Sequence, residues 1–186
     1  MDNSQIDLYA DGSSQPNPGA GGAAWVIKYW EIKDGNELPE VVSIENSQGY
    51  ELTTNNRMEV LSCLGGLYDI IKNIEADVFK NVTQINLLSD SKYFCDTINQ
   101  KWIDKWIQNN WVTYTKSPVK NRDLWEKLQD IQNKLHGLNV ILMVTHIPGH
   151  QGVEGNERCD KLAQAAARSN SRIKDDVYEK ASRNGR

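Results

Sequence analysis

The sequence predicts an α/β protein, a mixed sheet with helices on its faces. Five short segments read as strands. The first three follow one another with no helix between them, and the rest of the chain alternates strands with helical patterns. At 186 residues the chain is long enough for one domain of ordinary size and little more. Its 39% hydrophobic and 25% charged residues suit a globular core rather than a disordered chain.

Ile6 to Ala10 alternates apolar and polar residues and stops at Asp11-Gly12-Ser13-Ser14, a strand running into a turn. After a loop with Pro16, Pro18 and Gly19, strands are expected at Ala23 to Tyr29 and Val41 to Ser47, completing a meander. Thr54 or Asn55 reads as a helix N-cap, with Glu59 near the first turn. Val60, Leu61, Leu64, Leu67, Ile70, Ile71 and Ile74 then keep the helical period, and Gly65-Gly66 within them points to close packing. A buried-type strand at Ile85 to Leu88 ends at Ser89-Asp90-Ser91. Helical patterns fill Lys92 to Asn109 and Asn121 to His136, and a last strand covers Asn139 to Thr145. A glycine-rich loop leads into an alanine-rich helix that starts near Glu154 to Asn156. Residues 1–168 read as one domain, and 169–186 as a polar tail with no repeating apolar face.

No apolar run approaches the ~20 residues a membrane span needs, and Met1 to Asp7 lacks the apolar core of a signal peptide. Cys63, Cys95 and Cys159 are odd in number and widely spaced, so neither a disulfide framework nor a zinc site can be drawn, and a cytoplasmic location is expected. The net charge of −4 at first argues against a nucleic-acid partner. That average hides two poles. Glu31 to Glu51 holds six acids (Glu31, Asp34, Glu37, Glu40, Glu45, Glu51) against Lys33. Lys101 to Arg122 holds five bases (Lys101, Lys105, Lys116, Lys120, Arg122) against Asp104, with Trp102, Trp106, Trp111 and Tyr114 among them.

Asp11 and Asp90 each fall just past the end of a predicted strand, where ligands bind in sheets with crossover helices. Each is also a good turn former, Glu59 suits a helix start, and Asp160 suits a polar helix face. If all four converged, they would repel one another unless cations intervened, and an all-oxygen set favours Mg²⁺ or Mn²⁺. Two such ions about 4 Å apart activate a water and stabilise a leaving oxygen in phosphoryl displacement.

The local contexts of these acids resemble the motifs of type 1 ribonuclease H. Asp11-Gly12-Ser13 with Asn17-Pro18-Gly19-Ala20-Gly21-Gly22 is similar to its first motif, and Thr53-Thr54-Asn55-Asn56-Arg57-Met58-Glu59 to its second. Ser89-Asp90-Ser91 is similar to the third. His146-Ile147-Pro148-Gly149-His150 with Gly155-Asn156-Glu157-Arg158-Cys159-Asp160 is similar to the last. Trp102 to Trp111, followed by Pro118 to Trp125, resembles the bacterial branch. The four motifs occur in the family's order over about residues 5 to 168.

The resemblance implies a ribonuclease H-like fold with a mixed five-stranded sheet, three antiparallel strands and then parallel ones, flanked by helices. It implies an endonuclease that hydrolyses the RNA strand of RNA–DNA hybrids by two-metal-ion catalysis, leaving 5′-phosphate and 3′-hydroxyl ends, and acting as a monomer in DNA replication. Asp11, Glu59, Asp90 and Asp160 would be the metal ligands, for Mg²⁺ or Mn²⁺. His150 matches the family's mobile catalytic histidine, which transfers a proton or helps product leave. Asn17, Asn55 and Asn56 match contacts to the minor groove and the RNA 2′-hydroxyls. Thr54 and Asn121 match a pocket for a DNA-strand phosphate, and Tyr93 and Trp102 match positions lining the DNA channel. His146 is expected to pack or hydrogen-bond, His136 to answer a helix dipole, and Trp106 to belong to the core. Ile107-Gln108-Asn109-Asn110 departs from the bacterial pattern, in which several bases stand, so a weaker grip on the hybrid is expected. A silent hybrid-binding module and a DNA-processing nuclease with the same fold are the competing readings.

Overall fold

The computed structural model describes residues 4–31 and 40–184. Lys33, Asp34, Glu37 and most of the acidic connection lie outside the described residues. The strands are β1 (Gln5–Ser14), β2 (Gly19–Glu31), β3 (Glu40–Thr53), β4 (Gln84–Ser89) and β5 (Ile141–His146). The helices are α1 (Asn55–Glu75), α2 (Lys92–Asn99), α3 (Trp102–Gln108), α4 (Arg122–Gly137), α5 (Glu154–Arg168) and α6 (Asp176–Asn184).

The strands form a five-stranded sheet in the order β3-β2-β1-β4-β5. β1, β2 and β3 pair antiparallel, whereas β4 runs parallel to both β1 and β5. This is the expected mixed sheet. Consecutive strand residues point to opposite faces, and the two sides of β1 show how the layers form. Gly66 of α1 lies against Leu8, and Gly155 of α5 lies against the ring of the next residue, Tyr9. Thus α1 covers one face and α5 the other. The α1 side holds the larger core, in which Leu8, Ile27, Leu67 and Leu87 meet Phe94 and Trp125 with almost no solvent exposure. Gly65-Gly66 takes the role its position suggested: Trp25 and Leu8 fill the space that side chains there would need.

Several boundaries differ from expectation: β2 starts at Gly19, which was expected in a loop, rather than at Ala23, and β3 runs on to Thr53 rather than ending at Ser47. β1 does not turn at Asp11 but continues to Ser14, paired with β2 as far as Ser14↔Gly21. The apolar alternation stops at Ala10, yet small residues on both strands let the antiparallel ladder run on. Lys92 to Asn109 is not one helix. It breaks at Gln100-Lys101, where Lys101 adopts a left-handed backbone (φ 53°), and α3 starts afresh. Past Ser169, the expected polar tail carries α6, and Ile173 pairs with the β3 edge: its N–H donates to the Gly49 carbonyl and its carbonyl accepts from the Glu51 N–H. No helix among the described residues is long and apolar enough to cross a membrane.

Candidate active site

β1 outlasts its parallel partner. The β1–β4 ladder ends at Tyr9↔Leu88, so Asp11 projects beyond it even though it lies within a strand. Asp90 follows the last residue of β4 and reaches the same end of the sheet. Glu59 enters from α1, just beyond its first turn. The approach is close: a Cβ on Gly12 would overlap the backbone of Met58 and Glu59, so glycine lets β1 and α1 bring Asp11 beside Glu59. Asp160, in the second turn of α5, completes the set from the opposite face.

Electrostatics record this convergence. Asp11 is 9% exposed, and the pKa of its carboxyl is pushed from 3.8 up to about 7. Burial is the largest cause, followed by the charge of Asp90, with Asp160 and Glu59 adding to it; only the Gly12 N–H opposes. Glu59 is also raised, first by burial and then by Asp90, against the stabilising hydrogen bonds it accepts. Those come from Ser91 Oγ to Oε2 (2.6 Å) and from Asn55 Nδ2 to Oε1 (2.7 Å). Asp90 Oδ2 accepts from Asn156 Nδ2 (3.1 Å), and Asp160 Oδ1 from Gln164 Nε2 (2.8 Å). Every partner is neutral.

Among the described residues, no three His, Cys, Asp or Glu side chains gather closely enough to hold a metal ion. The donor chemistry nonetheless suits a hard divalent cation: four carboxylates, all oxygen, with no cationic side chain among the influences on Asp11.

His150 lies in the exposed loop between β5 and α5 with a left-handed backbone (φ 53°), next to Gly149, which abuts Asp90. His146 hydrogen-bonds as expected, its Nε2 pairing with the Asp90 carbonyl oxygen at 3.2 Å. His136 occupies the last turn of α4, in accord with the dipole explanation. Beside the acids, Asn17 Oδ1 accepts from the Asn55 N–H (3.1 Å), and Asn55 Oδ1 from the Ser14 N–H (3.2 Å). These bonds stitch the loop after β1 to the start of α1, while Asn56 beside them is exposed. Thr54 is the N-cap of α1 by position but makes no side-chain capping bond.

A second polar group lies one step along α1. Arg57, 3% exposed, donates to both oxygens of Asp123 (2.9 and 2.8 Å) and to both of Asp175 (2.6 and 2.9 Å). Burial alone would lower its pKa, but those two carboxylates outweigh it and leave it raised. Thr53 Oγ1 also donates to Asp175, and Arg57 Nη1 reaches Asn121 Oδ1 at 3.5 Å. Asn121, left-handed (φ 58°) at the start of α4, in turn reaches the Tyr93 hydroxyl at 3.5 Å. Sequence reading gave Asp123, Asp175 and Asn156 no role. Asn156 and Asp123 fall within stretches that resemble the family, but these contacts join residues far apart in the chain, and no local pattern announces them.

In the basic segment, Trp106 packs on Trp125 (ring centroids 5.9 Å apart), in agreement with its core assignment. Trp102 stands outside it, 6.1 Å from Trp106, with its Nε1 donating to Gln100. Arg122 lies over the Trp111 ring at 5.0 Å, and Tyr114 is fully exposed at the tip closed by the Val112–Pro118 bridge.

Residues 3–168 match the RNase H family model. The ribonuclease H of Tolumonas auensis is 39% identical over 174 residues, covering 94% of this chain and 97% of the relative. That of Caldanaerobacter subterraneus is 38% identical over 161 residues, covering 87% and 90%. Among solved structures, LC11-RNase H1 in complex with an RNA/DNA hybrid shares the fold at a TM-score of 0.58 and 24% identity, covering 88% of this chain and 96% of that one. LC9-RNase H1, a type 1 RNase H with the type 2 active-site motif, does so at 0.62 and 23%, covering 90% and 74%.

Proposed function

This chain belongs to the RNase H family, and from that membership we propose that it is an endoribonuclease that hydrolyses the RNA strand of RNA–DNA hybrids, leaving 5′-phosphate and 3′-hydroxyl ends. The observation that carries this reading is the Asp11 carboxyl, pushed up to about 7 by burial and by three neighbouring acids with no cation to relieve them. Asp11, Glu59, Asp90 and Asp160 hold two divalent cations, Mg²⁺ or Mn²⁺. When bound, those cations supply an activated water and stabilise the leaving oxygen of an in-line displacement.

The chain's own residues do the rest. Ser91 and Asn55 orient Glu59, while Asn156 orients Asp90. His150, on its exposed loop, moves a proton or assists product release. Asn17, Asn55 and Asn56 meet the minor groove and the RNA 2′-hydroxyls, which distinguish RNA from DNA. Thr54, its hydroxyl not spent on capping, and Asn121 hold a phosphate of the DNA strand; Tyr93 and Trp102 line its channel. Catalysis resides in residues 1–168 of a monomer, to which the segment after Ser169 is fastened through Asp175 on Arg57 and Ile173 on β3. The buried, unpaired Cys63, Cys95 and Cys159 agree with a reducing cytoplasm.

The test is a cleavage assay with Mg²⁺. Labelled RNA should be cut in a hybrid and spared as a single strand, and duplex DNA should also survive. A hybrid left intact across wide enzyme and metal concentrations refutes the reading and favours a silent binding module.

A further inference from the structure

Among the described residues, Asn156 Oδ1 is the only buried side-chain polar atom without a hydrogen-bond partner. Asn156 lies in the first turn of α5 and is 2% exposed. Its other amide atom, Nδ2, donates to Asp90 Oδ2 at 3.1 Å. An ionised carboxylate only accepts, which fixes which end of the amide faces it. Buried polar atoms seldom go unpaired, because leaving one unmade is costly. Asp90, which accepts from the other end of this amide, has no proton to give when ionised. No protein group supplies the donor, which leaves a water to do so.

We propose that Asn156 is a positioning residue that holds Asp90 with one end of its amide and, with the other, a water in the hydration shell of the cation bound there. The inference rests on the nuclease reading above. With C=O and C–N bonds of about 1.23 and 1.33 Å, the two amide heteroatoms sit roughly 2.3 Å apart. Added to the 3.1 Å contact, this puts Oδ1 at most about 5.4 Å from the Asp90 carboxylate oxygen, a span that a cation-bound water closes with a hydrogen bond of ordinary length. Magnesium keeps several of its waters when bound to protein, so such donors arrive with it. The same connection grips Asp90 twice more. His146 Nε2 pairs with its carbonyl oxygen at 3.2 Å, and Gly149 lies so close that a Cβ would come within 2.6 Å of Oδ2. Asp90 is therefore held from one side by a loop and a helix start, and Asn156 keeps a buried acceptor, Oδ1, without a partner.

Calorimetric titration with Mg²⁺ alone tests this on the full chain, comparing wild type with Asn156→Leu and the smaller Asn156→Ala. Both variants should unfold in EDTA at or above the wild-type temperature, since an unsatisfied polar atom is removed. Their Mg²⁺ dissociation constants should rise about tenfold or more, as for other outer partners of metal ligands. In hybrid cleavage, kcat should fall and recover in part with excess Mg²⁺, while KM stays put. If either folded variant binds Mg²⁺ as wild type does, the role of Asn156 is overturned while the nuclease reading stands. A wild type that takes up no Mg²⁺ and leaves the hybrid intact overturns both.

Discussion

Two residues apart on α1, Arg57 and Glu59 anchor buried charge clusters built on opposite terms. Around Arg57 the chain supplies both signs: one guanidinium, two carboxylates and four close hydrogen bonds between them. Around Glu59 it supplies one sign only. Asp11, Asp90 and Asp160 join it, and every hydrogen bond they accept comes from a neutral group. A finished cluster tightens the fold, whereas an unfinished one raises the proton affinity of its own acids and leaves room for a cationic guest. The same helix turn thus carries a structural fastening and a cluster of acids with no basic partner.

The contrast can be broken at either end. Asp11→Asn should have the largest effect: cleavage of the hybrid lost, with circular dichroism and folding preserved. A variant that cuts at the wild-type rate would remove Asp11 from the chemistry. Arg57→Ala should act on stability instead, because it strands Asp123 and Asp175 without their cation. Breaking a buried pair from one side costs about 3–5 kcal/mol, to be read from urea denaturation. A cost within the range of an exposed pair, about 1 kcal/mol or less, would show that the cluster is not a fastening.

The third prediction sets pH against the unfinished cluster. The folded pKa of Asp11 lies above its unfolded value, so the stability it contributes is complete below about 4 and is lost as pH rises through about 7. In EDTA, Asp11→Asn should therefore gain on wild type between pH 5 and pH 8. At about 1.4 kcal/mol per pKa unit, a rise from 3.8 to about 7 sets a ceiling near 4 kcal/mol. Adding Mg²⁺ should then stabilise only the wild type. A gap between the two proteins that is equal at both pH values would contradict the crowding of acids.

The sequence made α1 readable because its signals are local: a cap position at Thr54, a period from Val60 to Ile74, and a glycine pair where Trp25 and Leu8 press in. The four acids proposed for the site stood out for the same reason, each beside its own short motif. The fastening was not. Arg57 and Asp175 are 118 residues apart, and nothing near either one announces the other. The extension of β1 past Asp11 escaped notice because it depends on pairing with β2, not on apolar alternation. The break at Lys101 rests on one left-handed residue of a type that rarely signals it.

That 118-residue span also has a duration. A ribosome adding about 5–20 residues per second makes Asp175 some 6 to 24 s after Arg57, a delay set by the sequence separation alone. Only over the last 15 residues of that interval, about 1 to 3 s, does the nascent chain hold all four of Asp11, Glu59, Asp90 and Asp160 yet lack the carboxylate that completes the charge balance two residues from Glu59. The Arg57 cluster is therefore completed only by a side chain made after all four of those acids.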